Sequence, residues 1–197
     1  MNKRALTRSV CVWAIATVIA VGCKPKQNPK PAQEPQAKVG LNSERYPVGG
    51  ILNGKRINEK FIGEVIEIQD GDLITVLCDK KQIEVRLESV DCPELKQAFG
   101  QEARQLTREI CFNDLVQVLK TGEHPDGRTS GFVITSREKN VAHELLKAGL
   151  AWHIKKNSGH PYLVELESNA KTKKVGLWSD VNAVPPWEFR ETKRITK

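Results

Sequence analysis

The chain has no Cys-x-x-Cys pair, no Gly-x-Ser-x-Gly elbow, no P-loop and no dinucleotide fingerprint. Zinc ribbons, nucleophile-elbow hydrolases and the common nucleotide-binding folds therefore have no support. Only one long apolar run is present, Val10–Val21, which excludes a polytopic membrane protein. No internal repeat is visible. The globular part also lacks the basic excess that the whole chain suggests. Of the formal +7, residues 1–22 carry +3 and residues 23–60 carry +5, whereas residues 61–197 hold twenty basic and twenty-one acidic side chains, a net of −1. A nucleic-acid reading must then rest on a specific site and not on bulk charge. With 39% hydrophobic and 28% charged residues the 197-residue chain is neither collagen-like nor wholly disordered. Its length allows one domain of about 130–150 residues plus appendages, or at most two very small domains.

At the N-terminus, Lys3, Arg4 and Arg8 precede the apolar run, which ends in small residues. This is the pattern of a secretory signal over residues 1–22, too short and one-sided for a membrane-spanning helix. Ala20-Val21-Gly22-Cys23 resembles a bacterial lipobox, which makes Cys23 the expected lipid-anchor residue. Plain secretion after cleavage near Gly22, or an uncleaved anchor, is the alternative. Residues 23–60 read as a lipidated N-terminus and a Pro/Lys-rich linker, with four prolines between Pro25 and Pro35. Such a segment cannot bury a core and serves as an extended spacer. The expected location is outside the cytoplasm, anchored to a bacterial membrane through the N-terminal lipid and facing periplasm or exterior. Cys78, Cys92 and Cys111 remain in the globular part; one disulfide plus one buried thiol, or three buried thiols, would both fit.

From residue 61 the pattern becomes β-rich. Phe61–Gln69, Leu73–Cys78 and Gln82–Val90 read as strands, separated by the turns Asp70-Gly71-Asp72 and Asp79-Lys80-Lys81. In the third, Ile83, Val85 and Leu87 share one face while Glu84, Arg86 and Glu88 share the other. Gln101–Phe112 reads as a helix with Ala103, Leu106, Ile110 and Cys111 near one face. Leu115–Lys120 and Phe132–Thr135 read as two more strands. Val141–Ala148 and Leu163–Lys174 read as helices stopped by Gly149 and Gly176. Five short strands with a helix after the third suit a mainly β protein with helices (α+β), a five-stranded OB-fold barrel with three helices over residues 61–180. Residues 181–197 read as a C-terminal tail, with Trp187 packing back on the domain and the last residues fraying.

Acidic residues gather at strand ends. In a meander the start of the second strand and the end of the third share one end of the sheet, so Asp72 and Asp91 can approach each other. Pro93 stiffens the turn that carries Asp91, Cys92 and Glu94. Two close carboxylates repel unless a cation or proton intervenes, and a hard divalent ion, Ca²⁺ above all, suits oxygen ligands. Taken singly, Asp70-Gly71-Asp72 is also an ordinary turn and Asp91-Cys92-Pro93-Glu94 an ordinary strand exit. With Arg86 and Arg128 added, the set matches phosphodiester cleavage. The cation polarises a phosphoryl oxygen, guanidinium forks match the phosphate oxygens, and Glu94 takes a proton from water.

The stretch from about Phe61 to Asp180 resembles a staphylococcal-nuclease-like (thermonuclease) domain. The matching elements are Asp70-Gly71-Asp72, the run from Arg86 to Asp91-Cys92-Pro93-Glu94, Gly127-Arg128-Thr129-Ser130-Gly131, Gly149-Leu150-Ala151-Trp152, and Glu167 to Lys171 continuing to Gly176-Leu177-Trp178. The resemblance implies an OB-fold nuclease with one calcium ion, acting on DNA and RNA. It implies Asp72, Asp91 and the Cys92 carbonyl as metal ligands, Glu94 as general base, and Arg86 and Arg128 as the phosphate-binding pair. Neither an obligate protein partner nor an oligomer is implied, so a monomer is expected. Asp126, Ile154 and Asn157 stand where the family often has tyrosines that hold the substrate. The alternative is a non-catalytic OB-fold module on the cell envelope that binds nucleic acid or protein. His124, His143, His153 and His160 lack metal-site spacing and read as structural or solvated. Trp152, Trp178 and Trp187 read as core and not as base-stacking platforms.

Overall fold

A computed structural model describes residue 41, residues 44–156 and residues 158–195. The expected signal segment, Cys23, the proline-rich run and Asn157 lie outside the described residues.

Alternation of apolar and polar side chains builds a closed barrel of five strands: β3 (Glu59–Asp70), β4 (Leu73–Cys78), β5 (Lys81–Leu87), β8 (Thr129–Thr135) and β7 (Leu115–Glu123), paired in that order and closing back on β3. The elements missing from this numbering are the short hairpin β1 (Ile51–Leu52) and β2 (Lys55–Arg56), and the two-residue strands β6 (Val90–Asp91) and β9 (Trp152–His153), which pair with each other. All barrel pairs are antiparallel except β5 with β8, which is parallel because helix α1 and β7 intervene in sequence. This is the expected OB-fold.

Val65, Ile68, Ile74, Val76, Val85 and Leu87 fill the barrel, each at most 2% exposed. Helix α1 (Gly100–Cys111) buries Ala103, Thr107 and Cys111, spaced four apart on one stripe. The expected stripe centred on Leu106 and Ile110 is rotated. Thr107 takes the middle because its hydroxyl donates to the Gly71 carbonyl at 2.6 Å, a bond worth about 1 kcal/mol net. Helices α2 (Val141–Lys147) and α3 (Pro161–Lys173) pack against each other beside the barrel.

The structure differs from expectation in three places. Residues 51–60, assigned to the linker, form β1, β2 and the start of β3, and Ile57 is buried with Leu119, Phe132 and Ile134. The tail is not irregular: Pro186–Ile195 form a further helix, α4, giving four α-helices among the described residues in place of three, besides a 3₁₀ turn at Gly176–Ser179. The third strand ends at Leu87, and the chain corners at Ser89, whose φ is +68°, before β6. Cys78, Cys92 and Cys111 are all free thiols; Cys92 and Cys111 are buried as expected of three thiols, whereas Cys78 at the end of β4 is partly exposed. Among the described residues no helix is long and apolar enough to cross a membrane.

Candidate active site

The β3–β4 turn, Asp70-Gly71-Asp72, is pressed against the loop after β6 and against α1. A Cβ on Gly71 would lie 2.8 Å from the Cβ atoms of both Ala103 and Cys92, so only glycine permits this approach. The Leu87 amide donates to the Asp72 carbonyl at 2.9 Å and ties the turn to the end of β5. Asp72 is buried, 1% exposed. Its carboxylate accepts from Arg86 Nη1 at 2.9 Å, as the Leu73–Arg86 register requires. Burial pushes the Asp72 pKa up to about 7; Arg86 opposes this, while Asp91 and Asp70 add to it. Asp70 is raised too, chiefly by burial, and it feels the charges of Glu94 and Asp91. Four carboxylates thus lie within electrostatic reach of one another at one end of the barrel.

Asp91 is fixed by the β6–β9 pair, in which it stands opposite Trp152. Three residues on, the Glu94 amide donates to the Gln97 side-chain oxygen at 2.9 Å, and the Gln97 amide donates back to the Glu94 carbonyl at 2.7 Å. A Cβ on Gly100 would collide with that carbonyl, so the start of α1 also requires glycine to seat the loop. Cys92 is buried beneath Gly71, and burial lifts its thiol well above the ordinary range. Its side chain is therefore an inert spacer.

Arg190 is not among the expected site residues. From α4 it reaches both acidic groups: Nη2 donates to Asp91 Oδ2 at 2.7 Å, Nη1 to Asp91 Oδ1 at 3.2 Å, and Nη1 to Glu94 Oε1 at 2.8 Å. These hydrogen bonds hold its guanidinium charged. The Gln97 side chain donates to the Val184 carbonyl at 3.0 Å and secures the segment leading into α4. Helix signals were present, since Pro186 occupies the first turn and Glu188 follows it. Nothing in local spacing could have connected Arg190 with Asp91.

Arg128 lines the same cleft but is engaged. Nε donates to Glu84 at 2.8 Å and Nη1 to Asp126 at 2.7 Å. Asp126 is desolvated slightly, which raises its pKa, yet bonds from the Arg128 amide and His124 and their charges bring it down to about 2. Arg86, Glu88, Asp91, Glu94, Arg128 and Arg190 share a cleft of about 550 Å³ with the His124–Asp126 loop. Arg86 Nε is buried there with no hydrogen-bond partner among the described residues. An unpaired buried donor on a guanidinium is a place prepared for an anionic oxygen.

The structure brings Arg86, Asp72, Asp91 and Glu94 together, and Arg128 to the rim of their cleft. Among the described residues, no three His, Cys, Asp or Glu side chains already converge as a metal cage. The donor chemistry nevertheless fits a hard divalent ion. Asp72 is a buried carboxylate beside Asp91, and the attraction of a cation would offset the repulsion and desolvation that both suffer.

A closed OB barrel with carboxylates and guanidiniums at one end carries the kinds of groups that phosphodiester chemistry calls on. Residues 84–180 match the family described as staphylococcal nuclease homologue. The chain is 40% identical over 138 residues to Protein ParB of Escherichia coli, covering 65% of this chain and 78% of that protein. It is 37% identical over 145 residues to a micrococcal nuclease of Shigella flexneri, covering 68% and 83%. It is 34% identical over 138 residues to an uncharacterized endonuclease of Haemophilus influenzae, covering 70% and 77%. The chain belongs to the staphylococcal nuclease family.

Proposed function

We propose that this protein is an exported, membrane-tethered, calcium-dependent nuclease that hydrolyses phosphodiester bonds of DNA and, as a further substrate, RNA. The observation that carries the reading is the convergence of Asp72, Asp91, Glu94 and Arg86 at one end of the barrel, with a buried unpaired N–H on Arg86. Family membership and relatives named as nucleases support it.

In this reading Asp72, Asp91 and the Cys92 carbonyl hold one Ca²⁺, which when bound supplies Lewis-acid polarisation of the phosphoryl group. Arg86 and Arg128 bind the phosphate oxygens and stabilise charge as the phosphorus becomes five-coordinate. Arg128 leaves Glu84 and Asp126 to do so, and both of those pairs are solvent-exposed and therefore weak. Glu94, oriented by Gln97 through the backbone, accepts a proton from the attacking water. Freeing Glu94 for that task requires the guanidinium of Arg190 to loosen its hold.

The N-terminal pattern supports the location: a signal over residues 1–22, lipid on Cys23, and a proline-rich spacer. The alternative, a module that binds without turnover, is disfavoured because both carboxylate ligands, the base and both arginines are present. Purified protein is expected to degrade plasmid and single-stranded DNA with added Ca²⁺ and to stop on addition of chelator. Binding without turnover across several divalent ions would reverse the preference for an enzyme.

A further inference from the structure

A second pocket, of about 420 Å³, opens between β9, α3 and α4, and the hydrolytic chemistry makes no use of it. Its walls are aromatic and cationic. Trp152 is braced edge-on against Trp178, with ring centroids 4.4 Å apart. Trp187 of α4 meets Trp152 at 5.9 Å, also edge-on, and remains 38% exposed. Lys155, Lys156 and Lys171 surround these rings, and the single acid of the lining, Glu167, is buried, bonded to Lys171 at 2.9 Å and 4.0 Å from the Lys155 ammonium. Two positive charges are left over. The indole N–H of Trp152 is buried with no partner among the described residues.

This pocket adjoins the catalytic cleft at three points. Ile154 lines both. Trp152 stands directly opposite Asp91 in the β6–β9 ladder. Trp187 precedes Arg190 by one helical turn on α4, so one face of α4 presents a ring to the pocket and a guanidinium to Asp91. A flexible polyanion whose backbone lies at Arg86 and Arg190 meets indole rings and ammonium groups one residue further along.

Given the nuclease reading, we propose that the Trp152–Trp187 pocket is a nucleotide subsite of the substrate strand. It stacks an unpaired base adjacent to the scissile phosphodiester on the exposed ring of Trp187 and neutralises the flanking phosphate with Lys155 and Lys156. It selects single strands, because bases in a duplex have no free face to offer.

The test is the affinity of the full chain, in chelator, for a short oligothymidylate and for an abasic strand of equal length, by fluorescence anisotropy. The parent is expected to favour the strand with bases by about tenfold, the order of one stacked base. Trp187→Leu keeps an apolar side chain on α4 but removes the ring face, and should bring that ratio close to one; Trp187→Phe should keep most of it. Lys156→Glu, at an exposed position, should weaken both strands and flatten the salt dependence. In cleavage assays the loss in Trp187→Leu should fall on KM more than on kcat. A ratio near one in the parent, a ratio untouched by Trp187→Leu, or tighter binding of duplex or of an acidic peptide than of the single strand would overturn the subsite. Plasmid cleavage by the parent separates the two readings. Cleavage with no base preference sinks the subsite and leaves the nuclease, whereas base preference without cleavage sinks the nuclease and leaves the subsite.

Discussion

Arg190 and Asp91 are ninety-nine positions apart, yet they form a two-pronged pair in which the acid is 8% exposed and the base 39%. Removing the guanidinium strands a buried carboxylate. The half-exposed partner discounts the full penalty of a buried pair, so Arg190→Ala should cost about 1–3 kcal/mol. Guanidinium and Ca²⁺ would both call on Asp91. The rise in melting temperature on adding Ca²⁺ should therefore be larger in Arg190→Ala than in the parent, and an equal rise would show that they do not compete. The residues around this pair differ in how far the sequence disclosed them. Asp72, Asp91 and Arg86 follow from strand alternation and the meander, because local rules place them at one sheet end. Arg190 follows from no local rule, since only the folded barrel returns the C-terminus to Asp91. The sequence pattern likewise could not show that Arg128 is shared between Glu84 and Asp126, an arrangement of exposed side chains.

Elements whose register is dictated by burial were readable. β4 spans the expected residues, β3, β7 and β8 extend expected cores by a few positions where pairing, not hydrophobicity, sets the ends, and β5 stops three residues short of the expected Val90. The hairpin β1–β2 and helix α4 were not, because both are short and stable only through tertiary contacts. The hairpin shows how. Asn53 sits at its turn with φ +48°, 7% exposed, and its side chain meets His143 of α2 at 2.6 Å, while its carbonyl accepts from the Ser158 hydroxyl. Desolvation, aided by Lys147, pushes the pKa of His143 from 6.5 down to about 4. Between these values the unfolded chain holds a proton on His143 that the folded chain does not. Stability is therefore complete above about pH 6.5 and falls as pH drops toward 4, by at most about 3 kcal/mol from this group. Denaturant melts of parent and His143→Gln should show the parent losing more over that window. Parallel losses would mean that His143 is not held neutral.

Over the whole molecule, charge and architecture divide the labour. The basic excess lies before residue 61, in the stretch read as signal and spacer, and the folded remainder is close to neutral. The barrel therefore does not hold a polyanion by bulk attraction. Contacts at the cleft must supply the grip, and long-range steering should be weak. Lipid on Cys23 would hold the barrel at a membrane, and Cys23→Ser should move the protein from the membrane pellet to the soluble fraction. An unchanged partition would point to an uncleaved anchor. In the proposed mechanism one end of the OB barrel, through Glu94 beside Asp72, Asp91 and Arg86, performs hydrolysis. The most direct test is the rate of plasmid cleavage in Ca²⁺ by parent and Glu94→Gln proteins of matched melting temperature. A loss of about 10²–10⁴-fold in the variant is predicted for removal of a general base, and cleavage at the parental rate would contradict it.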